Sequence, residues 1–129
     1  MILDSTFLVD FERELRQGAA GPATRFLEAH ADLPLAITFT IAGELAAGDT
    51  LGGSRARWEE FIRPFHLYEY SAEVAWRFGS VFRTLKAAGT LIGANDMWIA
   101  ATALAHGQPL LTRNAREFAR VPGLQVESY

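Results

Sequence analysis

Apolar residues in this chain fall into two alternating patterns. Short runs closed by a polar residue read as buried strands, and longer stretches with apolar positions every three or four residues read as helices. Ile2-Leu3 is the first strand and ends at Asp4, with Ser5 or Thr6 placed to cap a helix from about Phe7 to Arg16. Gly18 stops that helix, Gly21-Pro22 opens another carrying Phe26 and Leu27, and Pro34 resets the chain. Leu35 to Thr38 is the second strand, and Phe39 to Ala47 continues as a small amphipathic helix ending at Gly48. Beyond Gly52-Gly53, a helix from Ser54 to Ile62 places Trp58, Phe61 and Ile62 at helical spacing, and Pro64 ends it.

In the second half, Phe65, Leu67 and Glu69 alternate with His66, Tyr68 and Tyr70 as a third strand. Ser71 caps a long helix through Ala88 that is expected to bury Ala75, Phe78, Phe82 and Leu85, and Gly89 stops it. Asp96 begins a helix running through Leu104 to Gly107. Pro109 to Thr112 form a strand leading to Arg113-Asn114, a short helix from Ala115 to Arg120, and a last strand near Leu124 to Val126. Short strands alternating with helices predict an α/β domain with a mainly parallel central sheet, because parallel neighbours need crossover connections. Residues 1–129 read as one such domain, with no internal repeat or linker. Ligands in these sheets gather at the carboxyl ends of the strands. Asp4 and Asn114 both follow strands, and Glu44 lies about two turns into the helix after another.

Composition removes several classes of chemistry. The absence of cysteine excludes disulfide frameworks and thiolate sites. His30, His66 and His106 are widely separated, without metal-binding spacing, and read as helix-end or surface residues. No apolar run approaches the roughly 20 residues of a membrane span. The Met-Ile-Leu-Asp start lacks a basic region before an apolar stretch, so a cytoplasmic location is the expectation. The net charge is -3. Subtracting Asp4, Glu44, Asp96 and Glu117, which a bound cation would largely neutralise, leaves -3 + 4 = +1, so net charge does not exclude RNA. Of the 12 basic residues only Lys86 is lysine; the arginine bias suits bidentate phosphate contacts, and also follows from genomic base composition.

Those four acids stand in or beside short apolar segments instead of on a solvated face. Carboxylates are costly to desolvate, so several of them near buried strand ends point to a compensating cation. An all-oxygen donor set suits Mg2+ or Mn2+. Taken singly, each acid has a plainer explanation: Asp4 as a helix N-cap, Asp96 as a first-turn acid favoured by the helix dipole, Glu117 and Glu44 as solvated residues.

Four segments together resemble the PIN-domain nucleases, especially VapC-type toxins of bacterial toxin–antitoxin pairs. Met1-Ile2-Leu3-Asp4-Ser5-Thr6-Phe7-Leu8 is similar to that family's first strand and metal-binding aspartate, and Ile37 to Leu45 to the segment whose glutamate precedes a leucine. Asn95-Asp96-Met97-Trp98-Ile99-Ala100-Ala101 is the strongest match, and Leu110 to Phe118 followed by Val121-Pro122-Gly123-Leu124 resembles the C-terminal motif. Two positions depart from many relatives. Asn114 stands where they carry aspartate, and Ser5-Thr6 where they carry threonine-asparagine. Glu117, one helical turn beyond Asn114, is a candidate replacement for the missing carboxylate.

The resemblance implies a three-layer α/β/α PIN-like domain and an endoribonuclease that hydrolyses RNA with metal-activated water, acting on tRNA, rRNA or mRNA. Asp4 and Asp96 would be the central ligands of Mg2+ or Mn2+, Glu44 would assist, and Asn114 and Glu117 would tune the fourth corner. Arg113 and Arg116, flanking Asn114, are the candidate RNA contacts. The resemblance further implies a small VapB-like antitoxin, with an amphipathic helix in a groove and a basic side chain reaching the carboxylates. It also implies a homodimer, to which Trp58, Phe61 and Trp98 could contribute if they are not core. Two other readings are a catalytically weak PIN-like scaffold, left open by Asn114, and a receiver-type phosphoacceptor domain. The latter would need a paired acidic start and a late lysine, whereas this chain has Asp4 alone and its only lysine at Lys86.

Overall fold

The computed structural model describes residues 1–129. Its strands are β1 (Ile2–Leu3), β2 (Ala36–Thr38), β3 (His66–Tyr68), β4 (Leu110–Leu111) and β5 (Val126–Glu127). The helices are α1 (Ser5–Gln17), α2 (Pro22–Ala29), α3 (Phe39–Ala47), α4 (Arg55–Ile62), α5 (Ala72–Ala87), α6 (Ala94–Ala105) and α7 (Ala115–Phe118). The five strands form one all-parallel sheet in the order β3-β2-β1-β4-β5, with helices packed over it as a three-layer α/β/α domain. This order also excludes the receiver reading, whose doubly wound sheet runs 2-1-3-4-5.

Parallel strands covered on both faces lose the apolar–polar alternation, which is why β1, β2 and β4 are near-continuous apolar runs. Ile2, Leu3, Ile37, Leu110 and Leu111 are fully buried. Registers of Ile2 with Ala36 and Leu110, and of Leu3 with Leu111, put the carboxyl ends of the three central strands side by side. The Asp4 N–H extends the ladder by donating to Leu111 O at 2.9 Å, and Thr112 N–H does the same to Glu127 O at 2.9 Å. Asp4 and Thr112 therefore leave the sheet as neighbours.

Helix ends match the sequence reading where glycine ends a helix. Gly18 has φ +66°, a left-handed conformation cheap only without a Cβ, and its N–H returns to Glu14 O and Leu15 O. Ser54 and Ser71 cap α4 and α5 by accepting from Arg57 N and Val74 N. Elsewhere the boundaries differ. Helix α1 begins at Ser5, so neither Ser5 nor Thr6 is its cap; Asp4 is the N-cap residue, yet its side chain makes no capping bond. Helix α6 begins at Ala94, which puts Asp96 third in its first turn. The long helix α5 buries Val74, Val81 and Leu85, while Ala75, Phe78 and Phe82 are only half-buried. The shift arises because α5 rests chiefly on α6 and not on the centre of the sheet.

Trp58 and Phe61 pack against the core, and the Trp58 indole N–H donates to Ala42 O at 2.9 Å. Trp98 stacks on Phe78 with ring centroids 4.0 Å apart. All three aromatics are half-buried within this one chain. No helix is long and apolar enough to cross a membrane.

Candidate metal centre

Asp4 is 3% exposed at the end of the central strand, a position that would be unfavourable for an unsupported carboxylate. Two hydroxyls support it: Thr112 Oγ1 donates to Asp4 Oδ2 at 2.6 Å, and Thr6 Oγ1 donates to the same oxygen at 3.0 Å. Both threonines also fix backbone. Thr112 Oγ1 accepts from Asn114 N–H at 2.9 Å, and Thr6 Oγ1 accepts from Arg113 N–H at 3.3 Å. One carboxylate oxygen is thus held by neutral donors, while Oδ1 accepts no hydrogen bond from the protein.

Glu44 approaches from α3. Its Oε1 accepts from Asn95 Nδ2 at 3.2 Å, which ties α3 to the first turn of α6. Its Oε2 is buried without any partner. From the fourth segment, Glu117 Oε2 accepts from Asn114 Nδ2 at 3.1 Å, so Asn114 and Glu117 act as a joined pair at the start of α7.

Asp96 lies among the other three. Burial first, and then the charges of Asp4, Glu44 and Glu117, push its carboxyl up to about 6 from an ordinary value of 3.8. The structure therefore brings Asp4, Glu44 and Glu117 each within electrostatic reach of Asp96, with Asn114 bonded to Glu117. No ion pair in the molecule involves any of these four acids. The cluster is negative and lacks a cationic partner from the chain.

A hard divalent cation fits this arrangement. The donors are all oxygens, one buried carboxylate oxygen has no partner, and Asp96 is disfavoured as an anion by its neighbours. As they stand, no three acidic or imidazole side chains meet the close spacing of a formed coordination shell.

The two candidate RNA-contacting arginines have different settings. Arg116 is exposed at α7. The Arg113 guanidinium instead pairs with Asp10 of α1 and lies 5.9 Å from the Tyr129 ring centre. The sequence reading named Thr6 only as a possible helix cap and as part of a departure from the family pattern, and did not single out Thr112, Asn95, Asp10 or Tyr129 as site residues. Thr112 was the most accessible of them, being the first polar residue after β4 just as Asp4 is after β1.

The largest concavity, about 680 Å3, is not at the carboxylates. It is an apolar groove where α1, α2 and α4 meet, lined by Phe11, Leu15, Leu27 and Phe61 with Glu12 and Arg57 among them. Glu12 and Leu51 also line a smaller hollow of about 230 Å3 that includes Glu44, so the groove continues toward the acidic cluster.

Residues 1–124 match the PIN domain family. The chain is 28% identical over 99 residues to "Ribonuclease VapC2" of Rickettsia felis, covering 74% of each protein. It is 34% identical over 71 residues to the "tRNA(fMet)-specific endonuclease VapC" of Salmonella typhimurium, a match covering 55% of this chain and about half, 54%, of that enzyme. Among solved structures, VapBC2 of Rickettsia felis bound to a promoter DNA fragment is similar with a TM-score of 0.82 at 24% identity, over 99% of this chain and 97% of the matched chain.

Proposed function

The chain belongs to the PIN-domain family, and from that premise we propose that it is a divalent-metal-dependent endoribonuclease, the toxin of a VapC-type toxin–antitoxin pair. The observation that carries this reading is the cluster of Asp4, Glu44, Asp96 and Glu117 at the carboxyl edge of the sheet without a cationic partner. Relatives named as ribonucleases and as a tRNA endonuclease support RNA as the substrate class and tRNA as the first substrate to try.

Asp4, Glu44 and Asp96 are the residues that would hold one Mg2+ or Mn2+, with Asn114 and Glu117 completing the fourth corner. The bound ion would supply a coordinated water of lowered pKa and neutralise charge developing on the phosphoryl oxygens. The protein's own contributions are orientation and exclusion. Thr6 and Thr112 hold one oxygen of Asp4 and leave the other free. Asn95 turns Glu44 toward the cluster. Asn114, carrying no charge, donates to Glu117 and thereby fixes the carboxylate one turn beyond it. The exposed arginine side chains of Arg113 and Arg116 offer phosphate contacts that position RNA without reading its sequence.

The purified protein is expected to cut unfractionated tRNA with Mn2+ or Mg2+ and to stop when the metal is chelated. Failure to cut tRNA, rRNA or mRNA under either metal overturns the reading in favour of a PIN-like scaffold that only binds RNA or a partner. Glu117→Gln keeps a hydrogen-bond acceptor for Asn114 but removes a charge. Calorimetric titration of Mn2+ is expected to show affinity lowered about tenfold, and unchanged affinity together with unchanged cleavage removes Glu117 from the site.

The antitoxin of this reading is a small VapB-like protein. The apolar groove at α1, α2 and α4 suits an amphipathic helix, and its continuation past Glu12 toward Glu44 suits a basic side chain entering the acidic cluster. The neighbouring open reading frame is the place to look for it. A homodimer belongs to the same proposal, tested by light scattering of the purified protein.

A further inference from the structure

Arg113 is held by more contacts than an arginine on a free loop would have. Its guanidinium pairs with Asp10, a carboxylate whose side chain is 5% exposed, while 62% of the Arg113 side chain remains open to solvent. The Tyr129 hydroxyl donates to the same Asp10 oxygen at 2.7 Å, and the Tyr129 ring lies beneath the guanidinium. That ring is itself fixed edge-on against the fully buried Phe7, with centroids 4.7 Å apart. On the backbone side, the Arg113 N–H is bonded to Thr6 Oγ1, one step from Asp4. The arginine is therefore fixed at both ends, and its inner end is joined to the carboxylate that terminates β1.

The charges do not cancel. Asp10 is shared with Arg13, so the group carries -1 + 1 + 1 = +1 beside an acidic cluster. A planar guanidinium whose one side is occupied by a carboxylate and an aromatic ring keeps its remaining donors in a set direction. Less rotamer freedom is then lost when it binds an anion. We propose that Asp10 and Tyr129 are positioning residues that hold the Arg113 guanidinium for an RNA phosphate next to the carboxylate site. This rests on the nuclease reading and specifies how its substrate backbone is held.

A second role for Asp10 makes an opposite prediction. If Asp10 merely neutralised Arg113, removing its charge would strengthen RNA binding, because one negative charge near the polyanion would be gone. If it positions Arg113, removal weakens binding. The experiment uses full-length protein carrying Asp96→Asn, so that RNA is not consumed, with fluorescein-labelled unfractionated tRNA read by fluorescence anisotropy. Arg113→Ala is expected to weaken binding about tenfold, Asp10→Asn about threefold, and Tyr129→Phe, which deletes one hydroxyl and no charge, about twofold. In the Arg113→Ala background, Asp10→Asn and Tyr129→Phe are expected to cause no further loss of binding, because they hold RNA through that side chain and the Arg13 that Asp10→Asn also releases only adds free positive charge. The Arg113 side-chain N–H resonance in a 15N spectrum should move in Tyr129→Phe.

Unchanged or tighter binding in both Asp10→Asn and Tyr129→Phe overturns the proposal. So does a loss that persists undiminished without Arg113, which marks a purely structural role. If the Asp96→Asn protein binds no tRNA at all, the nuclease reading fails and the inference with it. If it binds tRNA indifferently to Asp10 and Tyr129, only the inference fails.

Discussion

Asp96→Asn is expected to leave the protein folded, to raise its thermal stability in metal-free buffer near neutral pH, and to lower RNA cleavage at least about a hundredfold. The combination follows from one fact, the displacement of the Asp96 carboxyl to about 6 by burial and by Asp4, Glu44 and Glu117. In the unfolded chain this group ionises near 3.8, in the folded chain near 6. Between those values the folded protein binds the proton more strongly. The stability Asp96 contributes is therefore full at low pH and is lost as pH rises through about 6. Above that pH the ionised Asp96 opposes folding, and the neutral amide of asparagine relieves it. Thermal melting with chelator at pH 5 and pH 7.5 is the measurement. Wild type should lose stability between the two relative to Asp96→Asn, and Mn2+ should restore it to wild type only. The same proton competes with the metal, so Mn2+ affinity of wild type should fall as pH drops below about 6. A destabilised Asp96→Asn protein, or one that still cuts RNA, contradicts the assignment. Residues that are unfavourable for folding and necessary for activity are the expected mark of a functional site.

Glu14→Ala is expected to cost about 3 kcal/mol of folding stability, without touching the carboxylate cluster. Helix α2 begins with Gly21 as its N-cap residue and Pro22 in its first turn, and neither supplies a side-chain acceptor. Glu14, from the last turn of α1, does so instead. Its oxygens accept from Gly21 N–H at 3.0 Å, Ala23 N–H at 3.1 Å, Thr24 N–H at 2.8 Å and Thr24 Oγ1 at 2.6 Å. Burial pushes the Glu14 carboxyl up, but the bonds from Thr24, Ala23 and Gly21 outweigh it and hold the group below its ordinary 4.5. Its contribution is therefore present above about that pH and lost as pH falls through the lower folded value. Truncation leaves three N–H donors at a helix start without partners. Each such group costs about 1 kcal/mol or more, against roughly 5–15 kcal/mol for a whole domain. Urea unfolding at pH 7 measures it. Glu14→Gln should lose less, since its amide oxygen still accepts, and a loss under about 1 kcal/mol for Glu14→Ala would show that water replaces the carboxylate. Gly21 belongs to the same device, because a Cβ there would collide with Glu14 Oε1.

The strand and helix order was legible because β1, β2 and β4 are short apolar runs and the helices carry serine caps and glycine stops. Asp4, Glu44 and Asp96 were legible for a related reason. Each interrupts or borders an apolar segment, and each sits in a segment resembling PIN nucleases. Less legible were residues whose role depends on a partner far away in the chain. Thr112 reaches Asp4 across 108 positions, Tyr129 reaches Asp10 across 119, and Asn95 reaches Glu44 across 51. The helix faces were misjudged at α5, where packing on α6 shifted burial onto Val74 and Val81.

By itself the sequence determined the α/β class, the parallel sheet and the family resemblance, and marked the candidate acids, since all of these rest on local periodicity and short contiguous motifs. Only the tertiary structure decided that the four acids form one unpaired group, that Asp96 is pushed to about 6, that Glu14 caps the next helix, and that Arg113 is clamped by Asp10 and Tyr129. Charge repulsion, desolvation and hydrogen bonding depend on separations through space. Those separations come from the register of the sheet, which no single segment of the chain contains.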